Sequence, residues 1–214
     1  MPPHTVKQGD HICKLAVQYG FYDFHTIWDD GANAELKAKR DNLNVLNPGD
    51  VVTIPEKEVK TVDRPTTKRH TFQIKLQQLK LRVVFKDYFD RSFVGDECLS
   101  EVEGTPKTDT TNASGMIERD IDRTAEKGRL IVRELDISVR IGHLDPESTT
   151  TGQIGRLNNL GYAAGPLDAP EDDLIFKSAI EEFQADQNIR DGSGKVTGIC
   201  DAKTQARLKK VHGS

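Results

Sequence analysis

Residues 4–20, "HTVKQGDHICKLAVQYG", decide how the chain is read. Thr5 and Val6 begin as a short strand, and Gly9 lets the backbone turn sharply. Asp10 is placed to cap a helix whose Ile12, Leu15, Ala16 and Tyr19 share one face, and Gly20 suits its end. A second short helix is expected from Phe24 to Trp28. Residues 44–55, "NVLNPGDVVTIP", then supply a turn at Asn47-Pro48-Gly49-Asp50 and a closing strand. Strand, helix, helix, strand is the resulting order, and it sets the first domain at residues 1–56.

The rest of the chain divides in the same manner. With 214 residues, 36% hydrophobic and 30% charged, the sequence is too polar for one large core, so several small domains are expected. Residues 57–69, within "EKEVKTVDRPTTKRH", are charged, contain proline and lack periodicity, which marks a linker. Beyond it, Phe72, Ile74 and Leu76, then Leu79, Leu81, Val83 and Phe85, alternate with polar residues. The alternation returns in "GRLIVREL" and "LDISVRIGHL", with turn-rich "TPKTDTTNASG" between. Period two broken by turns predicts an antiparallel β sandwich over 70–146. From 147 to 214 the spacing becomes helical, at Ile154, Leu157 and Leu160 and again at Ile175, Ala179, Ile180 and Phe183. A last helix starts at the N-cap Asp201 and buries Leu208 and Val211. The fold class expected is α+β, multidomain.

Charge narrows the partners. A net charge of -4 gives no basic footprint for nucleic acid or an anionic membrane. No apolar run has the length of a membrane span, and "MPPHTVKQGD" is not a basic-then-apolar leader, so synthesis in the cytoplasm without a signal peptide is expected. Cys13, Cys98 and Cys200 are odd in number and lack CxxC spacing, so neither a disulfide framework, a metal site nor a cofactor is expected.

"TVKQGD", "LAVQYG" and "LNPGDVVTIP" together resemble the LysM family over residues 4–55, departing in the longer, more charged "DDGANAELKAKRD". The resemblance implies binding of the N-acetylglucosamine glycans of peptidoglycan. Its groove maps onto Gly9, Asp10, His11 and Ile12 on one side and Asn44, Val45, Leu46, Asn47 and Pro48 on the other. Exposed loop backbone would offer donors and acceptors to acetamido groups. The competing reading makes Gly9, Asp10, Pro48 and Gly49 turn and cap residues only. Trp28 is either a sugar platform or core.

A second resemblance covers the C-terminal part. "IGRLNNLGYAAGPLDA", "AIEEFQADQNI" and "GKVTGICDAKTQARL" are similar to the three-helix peptidoglycan-binding domain family, departing at "LDAPEDDLIF", where the loop is remodelled and more acidic. A second wall-binding site would involve Arg156, Asn158, Tyr162 and Gln184, although core and turn roles account for most of the motif.

The middle segment shows no catalytic pattern. Cys98 lies between Glu97 and Glu101, which raise a thiol pKa, and lacks the His-Gly-Cys context of the L,D-transpeptidases. His70 and His143 stand at the segment's edges without metal spacing, and Glu101 with Glu103 reads as a solvated face rather than an acid–base pair. "KTDTTNASGMIERDI" resembles the transthyretin-like and carboxypeptidase-regulatory sandwiches, which serve as spacers or docking surfaces. The three-part order resembles wall-binding proteins of contractile injection systems, type VI secretion among them. It implies a non-enzymatic peptidoglycan binder that is an accessory or cargo of such a machine, delivered to the periplasm and contacting spike or tail proteins. Two alternatives stand beside it: a collar or adaptor of a phage-like tail that contacts protein, and a wall hydrolase with an unrecognised central site.

Overall fold

The computed structural model describes residues 2–40, 42–58, 61–73 and 78–213. Its class is α+β. The elements run β1 (Pro3–Thr5), α1 (Ile12–Gln18), α2 (His25–Trp28), a 3₁₀ turn (Gly31–Asn33), α3 (Ala34–Lys39) and β2 (Val51–Thr53). Six longer strands follow: β3 (Leu79–Val84), β4 (Glu97–Val102), β5 (Thr105–Thr110), β6 (Met116–Ile121), β7 (Lys127–Val132) and β8 (Leu135–Arg140). Three helices close the chain: α4 (Thr150–Asn159), α5 (Leu174–Asp186) and α6 (Ala202–His212). Two compact units result. One takes the chain up to His4, Gly9–Ala34 and Val52–Ile141; the other takes Thr5–Gln8, Glu35–Val51 and everything from Gly142.

In the first unit β1 pairs with β2, and Ile12, Leu15 and Ala16 of α1 are fully buried, as helical spacing requires. Asp10 is not the cap. His11 holds the N-cap position and gives no side-chain hydrogen bond there, while Asp10 faces His4 at 3.0 Å and Lys14 at 3.5 Å. The His4 ring and the Lys14 ammonium outcompete the backbone amides for its oxygens. The charged insertion carries an internal anchor. Asn33 is 2% exposed; its amide nitrogen donates to the Ile27 and Thr53 carbonyls, both at 2.8 Å, and its oxygen accepts the Thr53 amide at 2.7 Å.

The strands beyond residue 78 form two antiparallel sheets, β3-β6 and β5-β4-β7-β8. Residues from both meet in one core of Phe85, Phe93, Cys98, Ile117, Leu130 and Val132. Along β4, Cys98, Ser100 and Val102 point inward and Glu97, Leu99 and Glu101 outward, as period two demands. Arg119 of β6 joins the sheets: its guanidinium is buried and donates to the carbonyls of Ser100 at 2.6 Å and Thr105 at 2.9 Å, and to the Ser100 hydroxyl at 2.8 Å.

Two expectations need correcting. "TPKTDT", read as turn, is β5, paired residue for residue with β4 from Thr105↔Val102 to Thr110↔Glu97. It is an edge strand, so polar side chains stand on both faces and Pro106 is tolerated. Phe72 is 66% exposed rather than core, and Ile74 and Leu76 lie outside the described residues.

The second unit buries Ile154, Leu157, Ala164, Phe176, Ala179, Ile180, Phe183, Ile189 and Leu208 between α4, α5 and α6. Each helix has an oxygen cap: Thr149 to the Gly152 amide, Asp173 to Ile175 and Phe176, and Asp201 to Thr204 at 2.8 Å. Phe176 takes the core place expected for Ile175, which is 55% exposed, and Val211 is 37% exposed. Gly152 is required by close approach, since a Cβ there would stand 2.0 Å from the Pro146 carbonyl oxygen. In the same unit the turn after Asn47 closes by the Asp50 amide donating to the Asn47 carbonyl at 3.0 Å, with Gly49 at φ 91°.

Candidate functional site

Gly9, Asp10, His11 and Ile12, one wall of the expected groove, are all buried within the first unit. The turn between β6 and β7 lies against them. Lys14, one helical turn past Asp10, pairs with Glu126 of that turn and donates to the Gly9 carbonyl at 3.2 Å. Arg123 of the same turn donates to the Tyr22 carbonyl at 3.0 Å. His11 is 1% exposed, and neither ring nitrogen completes a hydrogen bond among the described residues. Its pKa is lowered to about 4: burial is the largest cause, Lys14 adds to it, and the charges of Asp10 and Glu126 only partly offset them. None of these four residues is open to a sugar in this arrangement.

The other expected wall belongs to the second unit. Leu46 and Asn47 are buried, Val45 is half-buried, and Asn44 and Pro48 are exposed. Asn47 donates its backbone amide to Asp50 at 2.9 Å, and the same carboxylate is held by Arg40. Burial pulls the Asp50 carboxyl upward, but the Arg40 guanidinium and the Asn47 amide outweigh it, leaving the group below the ordinary carboxylate range. Arg40, Asn47, Glu147, Arg156 and Lys209 line a cavity of about 10 Å³, far too small for a sugar ring.

Of the four residues expected at a second site, Arg156 and Gln184 are buried. Arg156 donates to the carbonyls of Asp145 at 2.7 Å and Gly152 at 2.9 Å. Gln184 latches the loop before α6: its nitrogen donates to Thr197, Ile199 and Thr204, and its oxygen accepts the Thr197 and Gly198 amides at 2.8 and 3.1 Å. Asn158 is exposed but tied to Gly165 and Ala164. Tyr162 is half-buried and donates to Asp186 at 3.0 Å; burial, then the hydrogen bond and charge of Asp186, push its pKa up to about 12. Trp28 is 5% exposed, a core residue rather than a platform.

What the second unit does present is a cleft of about 260 Å³ beside α5. Phe176, Ile180 and Cys200 line it with Gln153 and Lys177, and the acidic loop supplies Glu171 and Asp172. Gly198 and Ile199 complete the lining; Ile199 is 63% exposed, whereas Phe176 and Ile180 are buried. An exposed aliphatic residue beside charged and amide groups suits a small amphipathic ligand. Sequence reading passed over it because core periodicity explained Ile180 and put Ile175 where Phe176 stands; the one signal was the remodelled "LDAPEDDLIF" segment.

None of the thiols is poised for chemistry. Burial pushes Cys13 up to about 11 and Cys200 up to about 12, and burial together with Asp109, its partner across β4 and β5, raises Cys98. The charge beside Cys98 thus comes from Asp109, not from Glu97 and Glu101. Glu103 accepts the Glu126 and Lys127 amides and so serves the backbone. Among the described residues no helix is long and apolar enough to cross a membrane. No protein-family model, curated protein or solved structure matches the chain.

Proposed function

We propose that the protein is a non-enzymatic binder of peptidoglycan, and that the cleft beside α5 is where it holds the polymer. The observation that carries this reading is one cleft lined by the exposed Ile199 together with Glu171, Asp172 and Lys177. Stem peptides bring both ammonium and carboxylate groups, and acetamido methyls bring small apolar faces, so a lining of mixed charge with an exposed aliphatic residue matches them. The LysM-like and peptidoglycan-binding-like resemblances point to the same polymer, and two weak modules on one chain gain avidity on a repeating target. Within this reading the protein is an accessory or cargo of a contractile injection system, reaching the periplasm with the machine.

The test is co-sedimentation of the intact chain with purified insoluble peptidoglycan. Retention without release of soluble muropeptides supports the proposal. Ile199→Asp, on an exposed side chain at the cleft, weakens retention without lowering the melting temperature. Muropeptide release would point to a hydrolase instead.

A second reading has its own observation. Leu174 is 79% exposed and Ile175 55%, side by side in the first turn of α5. Exposed aliphatics of this kind suit a protein neighbour, as in a tail adaptor. Binding to a spike or tail protein that Leu174→Ser abolishes, with no retention on peptidoglycan, would establish it in place of the first.

A further inference from the structure

The loop between β3 and β4 has no part in either reading so far. Lys86 and Ser92 bridge its base, the Asp87 amide donates to the Arg91 carbonyl at 2.9 Å, and Asp90 turns the chain at φ 61°. The Asp87 carboxylate organises the tip, accepting the Phe89 amide at 2.9 Å, the Arg91 amide at 3.0 Å and the Arg91 Nε at 2.7 Å. Lys86 pairs with Asp90 at 2.7 Å. On this frame stand two adjacent aromatic side chains, Tyr88 at 90% exposure and Phe89 at 72%.

Such exposure has a cost in water and nothing in the fold requires it, since the core cluster draws on Phe85 and Phe93 instead. The two aromatics are not equivalent. Phe89 has the Arg91 guanidinium over its ring at 5.2 Å and meets Tyr88 edge to face at 5.5 Å. Phe89 is held from two sides, and Tyr88 is the ring presented outward. The four charges at the loop's tip sum to zero and pair with one another, Lys86 with Asp90 and Arg91 with Asp87, while Asp96 at its end pairs with Arg133. That balance gives no attraction to an anionic bilayer. A protein partner covering both rings would also desolvate two ion pairs. A sugar ring needs only one aromatic face for its C–H groups and leaves the charges in water.

We propose that Tyr88 is a sugar-stacking platform for the glycan strand of peptidoglycan, displayed by a loop already fixed in its binding shape. The proposal rests on the wall-binding reading and adds a further contact to the polymer, on the first unit. Because the loop is ordered by Asp87 before binding, little freedom is lost when a sugar docks.

Three full-length proteins test it on insoluble peptidoglycan: parent, Tyr88→Ala and Tyr88→Phe. Loss of the ring weakens retention roughly three- to tenfold, the scale of one aromatic contact, and Tyr88→Phe keeps most of it. Both variants melt with the parent, because the side chain is exposed. In parallel, N-acetylglucosamine oligomers titrated into labelled parent shift the amides of Asp87 to Arg91. Retention of Tyr88→Ala equal to parent, or shifts confined to the α5 cleft, overturns the platform and leaves the wall-binding reading standing. Failure of the parent itself to sediment removes both. Loss of a protein partner in Tyr88→Ala, without any sugar-induced shift, overturns the platform in favour of a protein contact.

Discussion

Arg40 grips both carboxylate oxygens of Asp50, each at 2.7 Å, while Asp50 also accepts the Asn47 amide at 2.9 Å. The pair is only 18% and 11% exposed, so solvent screens it weakly. Arg40→Ala is expected to lower unfolding free energy by about 2 kcal/mol, since a charged, partly buried acceptor is left behind. Urea denaturation measures it; a change within error would mean that the clamp is ornamental.

The same pair fixes an acid limb. Asp50 has a folded pKa below its unfolded one, so its contribution is complete above the ordinary carboxylate range and fades as pH falls through the folded value. Asp50→Asn is less stable than parent at neutral pH, and the gap narrows below about pH 4. A gap that is constant with pH would show that the charge does not matter.

His11 acts in the next window up. Its folded pKa of about 4 lies below the unfolded value, so the unfolded chain binds the extra proton and stability drops as pH falls from about 6.5 toward 4. The full effect is about 3 kcal/mol. His212, likewise lowered to about 4 by burial and then by Arg156, adds a second contribution. His11→Phe should therefore flatten the profile between pH 7 and 4 only in part. Thermal melts across that range decide it, and an unchanged slope would sink the idea.

How much of this was readable in the sequence depends on range. Local rules worked where the cause is local: the α1 face of Ile12, Leu15 and Ala16, the Asn47–Asp50 turn and the Asp201 cap stand where their spacing put them. They failed where a distant group competes. Asp10 turned from the helix to His4 and Lys14, and polar β5 has no alternation to reveal a strand defined only by pairing with β4. Asn33 looked like part of a solvated insertion, yet its backbone partners include Thr53, twenty residues on. Arg156 and Gln184 illustrate the converse for the candidate site: polar residues in a binding motif whose hydrogen bonds turn inward. Tyr88 and Phe89 gave no periodic signal, because a loop tip has none.

Gly152 offers the cleanest steric test. An added methyl meets the Pro146 and Asp145 carbonyl oxygens at 2.0 and 2.6 Å, both on the backbone. Gly152→Ala should cost more than about 2 kcal/mol despite alanine's better helix propensity. A neutral or stabilising result in a melting experiment would require the Asp145–Pro146 segment to shift freely.

Substitutions that probe the residues after Lys39 must avoid the clamp. Asn47 is 5% exposed, so a tryptophan there unfolds the turn before it can block a ligand. Asn44→Trp, on an exposed side chain, is the better probe, and it should leave the melting temperature unchanged while weakening retention on peptidoglycan if this wall touches glycan. Reversing Lys37 and Lys39 to glutamate, with Arg40 kept, should leave that retention intact. Loss of retention there would assign the insertion to the wall.

The guanidinium of Arg119 bears on how the two sheets come apart. Three oxygens on the four-stranded sheet are its partners, and it belongs to the two-stranded one. Neither sheet can peel away without breaking all three hydrogen bonds of this buried guanidinium, which couples the opening of one sheet to that of the other. Slow-exchanging amides of β4 and β6 should consequently release their protons in a single cooperative event, giving the two sheets one all-or-none threshold under heat or pulling force.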